Sequence, residues 1–293
     1  MRIVLLGLTG YTNEVLPAIL ADERLKLCAV FTRRYDAPFP YYPIPQVHEM
    51  CAGLDIPCHT NLRVTSGTGF ELLRSCEPDL ILMTGFNQIL TRPVLDLPRL
   101  GAVNMHPSLL PKFRGADPIQ AVLLDEATET GVTFHYAVPE VDAGNILVQA
   151  RYRISPDETN ASLRLELARL AASHLPRVID LFADESRPAG TPQRGTPTPA
   201  NRRFAERVSL DQTQDLRELH KVVRAVAPYP GVTVNLRGID RIVRSSTFIE
   251  QTLLTGNDNG AIDEEGFVVL ERSGGRLVLT LAMDENQRGR RET

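Results

Sequence analysis

The stretch that most constrains this chain runs from Leu100 to Gln120, LGAVNMHPSLLPKFRGADPIQ. An extended segment from Gly101 to His106 aims Asn104 and His106 to one side and turns Val103 and Met105 to the core, because successive strand side chains alternate faces. Pro107 and Pro111 end the strand, since proline supplies no ladder donor. The loop between them is apolar, and Leu109 and Leu110 suggest the wall of a flat pocket. Its complement is Thr130 to Gly144, TGVTFHYAVPEVDAG, where Asp142 stands beside the turn residue Gly144.

These residue types suit a reaction that passes through a tetrahedral oxyanion. The Asn104 amide donates to the developing charge, and His106, if protonated, stabilises it further. Asp142 can orient or charge the imidazole and relay the proton lost by an attacking amine. No serine or cysteine nucleophile is needed. His135, alone on its strand, reads as structural; Glu140, two residues before Asp142, reads as facing solvent.

The run Asn104-x-His106-Pro107-Ser108-Leu109-Leu110-Pro111-x-x-Arg114-Gly115, followed by Glu129-Thr130-Gly131-Val132-Thr133 and Asp142-Ala143-Gly144, resembles the folate-dependent formyltransferase family. That family includes methionyl-tRNA formyltransferases, nucleotide-sugar N-formyltransferases, glycinamide ribonucleotide formyltransferases and formyltetrahydrofolate hydrolases. The resemblance implies catalytic roles for Asn104, His106 and Asp142, 10-formyltetrahydrofolate as formyl donor, and no metal. It also implies that Phe86, Asn87, Gln88, Ile89 and Leu90 run along the pterin ring, and that Leu109, Val138, Glu140 and Val141 belong to the same cofactor-binding set. Lys112 and Arg114 could meet an anionic acceptor or the folate tail.

At 293 residues the chain is long enough for one large and one small domain. The short apolar runs Ile3–Leu6 and Leu80–Thr84 read as buried parallel strands, so the expected fold class is α/β: a Rossmann-like, mostly parallel sheet in the N-terminal domain. Gly7-Leu8-Thr9-Gly10 lacks the third glycine of a dinucleotide fingerprint and reads as a tight strand-to-helix turn. The expected catalytic domain is 1–183. The proline-rich segment 184–201, DESRPAGTPQRGTPTPAN, reads as a linker, and 202–293 as a smaller, β-rich C-terminal domain. Short strands separated by turn signals suggest a small barrel there. The pattern Val223-Arg224-Ala225-x-x-Pro228-x-Pro230-Gly231 resembles the start of the OB-like C-terminal domain of methionyl-tRNA formyltransferases.

The net charge of −4 gives no broad attraction to nucleic acid. Residues 202–293 carry equal numbers of acidic and basic side chains, with Arg288, Arg290 and Arg291 in the terminal tail. A domain that packs or forms a homodimer accounts for that balance as well as an RNA-binding one. Cys28, Cys51, Cys58 and Cys76 show no metal-ligand spacing, and with no export or membrane segment the expected location is cytoplasmic. The proline- and aromatic-rich loop 33–45, RRYDAPFPYYPIP, offers Arg33, Phe39, Tyr41 or Tyr42 to an acceptor. By the resemblance it is shorter than in tRNA-directed members, which favours a small-molecule amine, such as a nucleotide-linked amino sugar or an amino-acid derivative. Initiator methionyl-tRNA is the rival acceptor, water would make a hydrolase, and a catalytically inert folate-binding protein is the competing class.

Overall fold

The computed structural model describes residues 1–211, 214–236, 238–250, 266–272 and 275–282. The tail arginines Arg288, Arg290 and Arg291 lie outside the described residues. The chain first alternates strand and helix: β1 (Arg2–Gly7), α1 (Tyr11–Leu20), β2 (Lys26–Thr32), α2 (Val47–Gly53), β3 (Cys58–Thr60), α3 (Gly67–Ser75), β4 (Leu80–Thr84) and α4 (Arg92–Leu95). It continues through β5 (Ala102–His106), α5 (Pro118–Leu124), β6 (Glu129–Tyr136), β7 (Ile146–Arg153) and α6 (Asn160–Asp180). The strands form a seven-stranded sheet in the order β3-β2-β1-β4-β5-β6-β7. Pairing is parallel from β3 to β5, whereas β6 runs antiparallel to both β5 and β7.

The apolar runs are continuous because these central strands are covered on both faces. Val4, Leu6, Ala29, Phe31, Ile81, Met83 and Ala102 share one cluster with Leu73 of α3 and Val94 of α4. The alternate residues Ile3, Leu5, Val30, Leu82 and Val103 are fully buried as well. Burying each such side chain is worth roughly 1.5–3 kcal/mol.

The chain divides into two compact units. The first comprises Met1–Pro118, Glu129–Ile154 and Leu163–Asn201; the second comprises Ile119–Thr128, Ser155–Ser162 and the chain from Arg202 onward. Segment 155–162 joins the second unit through buried polar groups that the sequence pattern does not reveal. Arg224 Nε donates to the Glu158 carbonyl at 2.8 Å, and Asn160 Nδ2 to the Ala225 carbonyl at 2.9 Å. The second unit carries β8 (Val208–Ser209), α7 (Leu216–Val226), β9 (Val232–Leu236), β10 (Ile239–Glu250), β11 (Phe267–Arg272) and β12 (Gly275–Leu281). Its five-stranded sheet has the order β11-β12-β10-β9-β8, and among the described residues β11 does not pair with β8 to close the expected barrel. Asp215 caps α7 by accepting from the backbone N–H of Arg217 at 2.8 Å.

Segment 184–201, expected as a linker, instead packs on the first unit as a strap. Tyr136 Oη donates to the Pro188 carbonyl at 2.8 Å, and Thr191 exchanges two backbone hydrogen bonds with Ile146. Prolines remove donors but leave every carbonyl able to accept, so a segment without apolar periodicity still docks through its backbone. Helix α6 runs on through Pro176, four residues before its end.

Gly131 on β6 marks a close approach: a Cβ there would lie 1.9 Å from the Ala150 carbonyl oxygen and 2.7 Å from Leu109 Cδ2. Gly53, the last residue of α2, meets nothing within 4 Å. Gly131→Ala is expected to lower the free energy of unfolding by about 1–3 kcal/mol through overpacking. Gly53→Ala should raise it by about 0.5–1 kcal/mol by restricting the unfolded chain. Urea denaturation of the two variants measures both.

Candidate functional site

On β5 the apolar face of the sheet turns polar. Ala102 continues the buried cluster begun by Ile81 and Met83, and the next two residues on that face are Asn104 and His106. Val103 and Met105 point the other way and are buried. Across the antiparallel ladder Asn104 stands opposite His135, and His106 opposite Thr133, so these side chains share the face.

Two loops close over this polar patch. The first, 107–117, returns Phe113 and Gly115: His106 Nε2–H donates to the Phe113 carbonyl at 2.7 Å, and the Gly115 N–H donates to Asp142 Oδ2 at 2.9 Å. Thr133 ties this loop down, donating to the Ser108 carbonyl at 2.7 Å and accepting from the Leu110 N–H at 3.2 Å. The second loop, 137–145, brings in Asp142, whose backbone sits at φ 53°. Gly144 permits its return, since a Cβ there would lie 1.9 Å from the Tyr136 carbonyl oxygen.

The Asp142 carboxylate is the centre of the arrangement. Asn104 Nδ2 donates to Oδ1 at 3.2 Å, and His106 Nδ1 lies 3.4 Å from Oδ2. His135 Nε2 lies 3.5 Å from Oδ1 and 3.2 Å from Asn104 Nδ2. Because His135 Nδ1–H donates to the Tyr136 carbonyl at 2.9 Å, its Nε2 lone pair is free to take the second amide hydrogen of Asn104. An amide donor, an imidazole nitrogen and a carboxylate thus converge within hydrogen-bonding reach, a set able to hold an oxyanion and move a proton.

Comparison with known proteins decides the family. The model of the formyl transferase family matches residues 63–179. The methionyl-tRNA formyltransferase of Moorella thermoacetica is 30% identical over 286 residues, covering 96% of this chain and 90% of its own length. The chain belongs to the formyltransferase family. The methionyl-tRNA formyltransferase of Leifsonia xyli is 35% identical over 243 residues, covering 81% of this chain and 78% of its own. Among solved structures, WlaRD, a sugar 3N-formyl transferase solved in the presence of dTDP and 5-N-formyl-THF, superposes with a TM-score of 0.68 at 15% identity, over 97% of this chain and 98% of its own.

Within this formyltransferase, the residues expected along the cofactor are disposed in three ways. Phe86 packs against the core cluster, and Leu90 is buried in it. Gln88 is occupied locally, accepting from the Val64 N–H at 3.0 Å and donating to the Leu62 carbonyl at 2.9 Å. Asn87 is exposed, and Ile89 is 71% exposed just beyond β4. Val138 and Val141 are exposed in the loop that carries Asp142, and Leu109 lies against Gly131. Glu140 faces solvent, with only a 3.5 Å contact from Arg114 Nη1.

Sequence reading missed three groups. His135, which reads as structural from its place alone on the strand, joins the site through its register opposite Asn104, which the sequence does not give. The Phe113 carbonyl and Gly115 N–H carry no side-chain signature at all.

Burial would push the Asp142 carboxyl up, but His135, His106 and the Gly115 N–H outweigh it and hold the pKa at about 2. Burial pushes the His106 imidazole below its ordinary value, against the pull of the Asp142 charge and the Phe113 carbonyl. The two act on stability in the same direction. A depressed carboxyl stabilises the fold above its unfolded pKa of ~3.9 and loses that contribution as pH falls toward the folded value. A buried imidazole with a depressed pKa costs stability once pH drops below its unfolded value of ~6.5. At neutral pH His106 should therefore carry a single proton, on Nε2, and Asp142→Asn should move its protonation to still lower pH. Titration of the imidazole nitrogens by NMR, in the two proteins, measures both.

Proposed function

We propose that this enzyme is an N-formyltransferase that moves the formyl group of 10-formyltetrahydrofolate to the primary amine of a small acceptor, with Asn104, His106 and Asp142 as its catalytic residues. The convergence of those three side chains on one polar patch of an otherwise apolar sheet is the observation that carries this reading. The exposed apolar side chains Ile89, Val138 and Val141, on loops flanking the patch, suit the flat ring of a pterin.

In the proposed reaction the amine attacks the formyl carbon. The Asn104 amide, turning one hydrogen from its resting partners Asp142 and His135 to the substrate, and the protonated His106 imidazole stabilise the resulting oxyanion. Asp142, ionised throughout the working range, takes up the proton that the attacking nitrogen loses and passes it on. His106 Nε2 is already committed to the Phe113 carbonyl, so Nδ1, 3.4 Å from Asp142 Oδ2, is the nitrogen that receives this proton from Asp142 as negative charge develops beside it. Collapse forms the amide bond, breaks the bond from the formyl carbon to N10, and returns the proton to N10 of tetrahydrofolate. These groups all lie in the first compact unit, which we assign as the catalytic domain.

Loop 33–45 supports a small acceptor. It presents rings rather than a run of cations: Phe39 lies 5.3 Å from Tyr41 and 5.0 Å from Tyr42, and the Arg164 guanidinium stacks 4.1 Å above Tyr41. A nucleotide-linked amino sugar or an amino-acid derivative fits such a surface. Methionyl-tRNA is the second reading, favoured by the names of the relatives that align along nearly the whole chain.

Incubation of the protein with 10-formyltetrahydrofolate and a panel of nucleotide-linked amino sugars, amino acids and methionyl-tRNA should yield a small amine heavier by CO, with the tRNA unchanged. Formylation of methionyl-tRNA alone would establish the second reading, and tetrahydrofolate release without an amide product would make the protein a hydrolase. Asn104→Ala, His106→Ala and Asp142→Asn should each lower kcat by roughly 10²–10³-fold with the fold intact by circular dichroism. Wild-type turnover in all three would remove the catalytic assignment.

A further inference from the structure

The strap 184–201 reaches both loops that build the site. Phe113 N–H donates to Thr198 Oγ1 at 2.9 Å, and the Arg114 N–H to the Thr198 carbonyl at 2.9 Å. Asn145 Nδ2 donates to the Ala189 carbonyl at 2.9 Å. Between these anchors stands one side chain whose primary amide joins the two loops directly. Gln193 Nε2 donates one hydrogen to the Asp142 carbonyl and the other to the Gly144 carbonyl, each at 2.8 Å. Its Oε1 accepts from Arg114 Nη2 at 2.7 Å and from Arg114 Nε at 3.2 Å. Both amide hydrogens and the oxygen are thereby used.

The position matters because Asp142 has little else to hold its backbone. It sits in the left-handed region, in a loop whose flanking residues Glu140 and Val141 are exposed. Its carboxylate must nevertheless stay within reach of His106 Nδ1, Asn104 Nδ2 and the Gly115 N–H. Arg114, one residue before Gly115, is held by the same amide. Gln193 therefore sets the distance between the loop that supplies the carboxylate and the loop that supplies the Gly115 N–H.

We propose that Gln193 is a positioning residue for the formyl-transfer centre, holding Asp142 in register with His106 and Gly115. The inference rests on the catalytic reading of Asp142 given above. Gln193 touches neither substrate nor reacting atoms, and its effect passes through Asp142.

Gln193→Ala and the near-isosteric, uncharged Gln193→Met test it in the full-length enzyme. Both should lower kcat by roughly 10–100-fold, the penalty of a misplaced catalytic group, while the KM for 10-formyltetrahydrofolate stays close to wild type. Both should also move the His106 titration to lower pH, toward that of Asp142→Asn, since the carboxylate facing the imidazole drifts away; the other groups facing His106, namely His135 and the Phe113 carbonyl, are unchanged. Tyr136→Phe, which frees the strap at Pro188, is the control and should lower stability without moving the His106 titration. If Gln193→Ala fails to fold, Gln193→Met carries the test alone. Wild-type kcat and an unmoved His106 titration in the Gln193 variants, with Asp142→Asn inactive, would overturn the positioning role and leave the catalytic reading standing. An active Asp142→Asn enzyme would overturn both.

Discussion

The polar patch depends on keeping one carboxylate ionised where water hardly reaches. Asp142 has only 9% of its side chain exposed, and burying an unpaired charge costs several kcal/mol. That cost is offset by two directed donors, the Gly115 N–H and the Asn104 amide, with the imidazoles of His106 and His135 at 3.4 and 3.5 Å able to add positive charge when protonated. These groups come from separate parts of the chain, so the loops 107–117 and 137–145 and the ends of β5 and β6 must all be in place together. A charge held this way is pre-organised, because its environment need not reorient when a proton arrives.

The sheet supplies the rigidity that such an arrangement needs. β5 is flanked by β4 on one side and β6 on the other, and its inward alternation changes from apolar to polar over five residues. Asn104 and His106 are thus fixed by backbone pairing rather than by loop conformation. The antiparallel entry of β6 is what places His135 beside Asn104 and Thr133 beside the 107–111 turn. A mostly parallel sheet with this one reversal brings two strand faces and two loops to a single point.

Much of the architecture was legible in the sequence. β4 begins and ends where the apolar run Leu80–Thr84 places it, and β1 extends the run Ile3–Leu6 by one residue at each end. Alternation around Asn104 and His106 gave their common face directly, because a strand's side-chain direction is a property of the chain itself. Tertiary contacts were harder to read. The 184–201 segment looks like a linker because it has no apolar periodicity, yet it docks through its backbone, the Thr198 hydroxyl and the Gln193 amide. Pro176 looks like a break in α6, but the helix packs Leu175, Val178 and Ile179 into the core on either side of it, and packing overrides the lost hydrogen bond. Segment 155–162 belongs to the second unit, where Arg224 and Asn160 make buried polar contacts that leave no trace in hydrophobic pattern.

By itself, then, the sequence determined the parallel βα core, the outward pair Asn104 and His106, the candidate carboxylate Asp142 and the family resemblance that joins them, because each is encoded in local periodicity or in a contiguous motif. Only the tertiary structure decided that His135 joins the cluster, that Phe113 and Gly115 contribute through their backbones, and that Gln193 clasps the two loops. Backbone donors and acceptors are the same at every residue, and cross-strand neighbours are set by register. Which of them meet is a property of the folded chain alone.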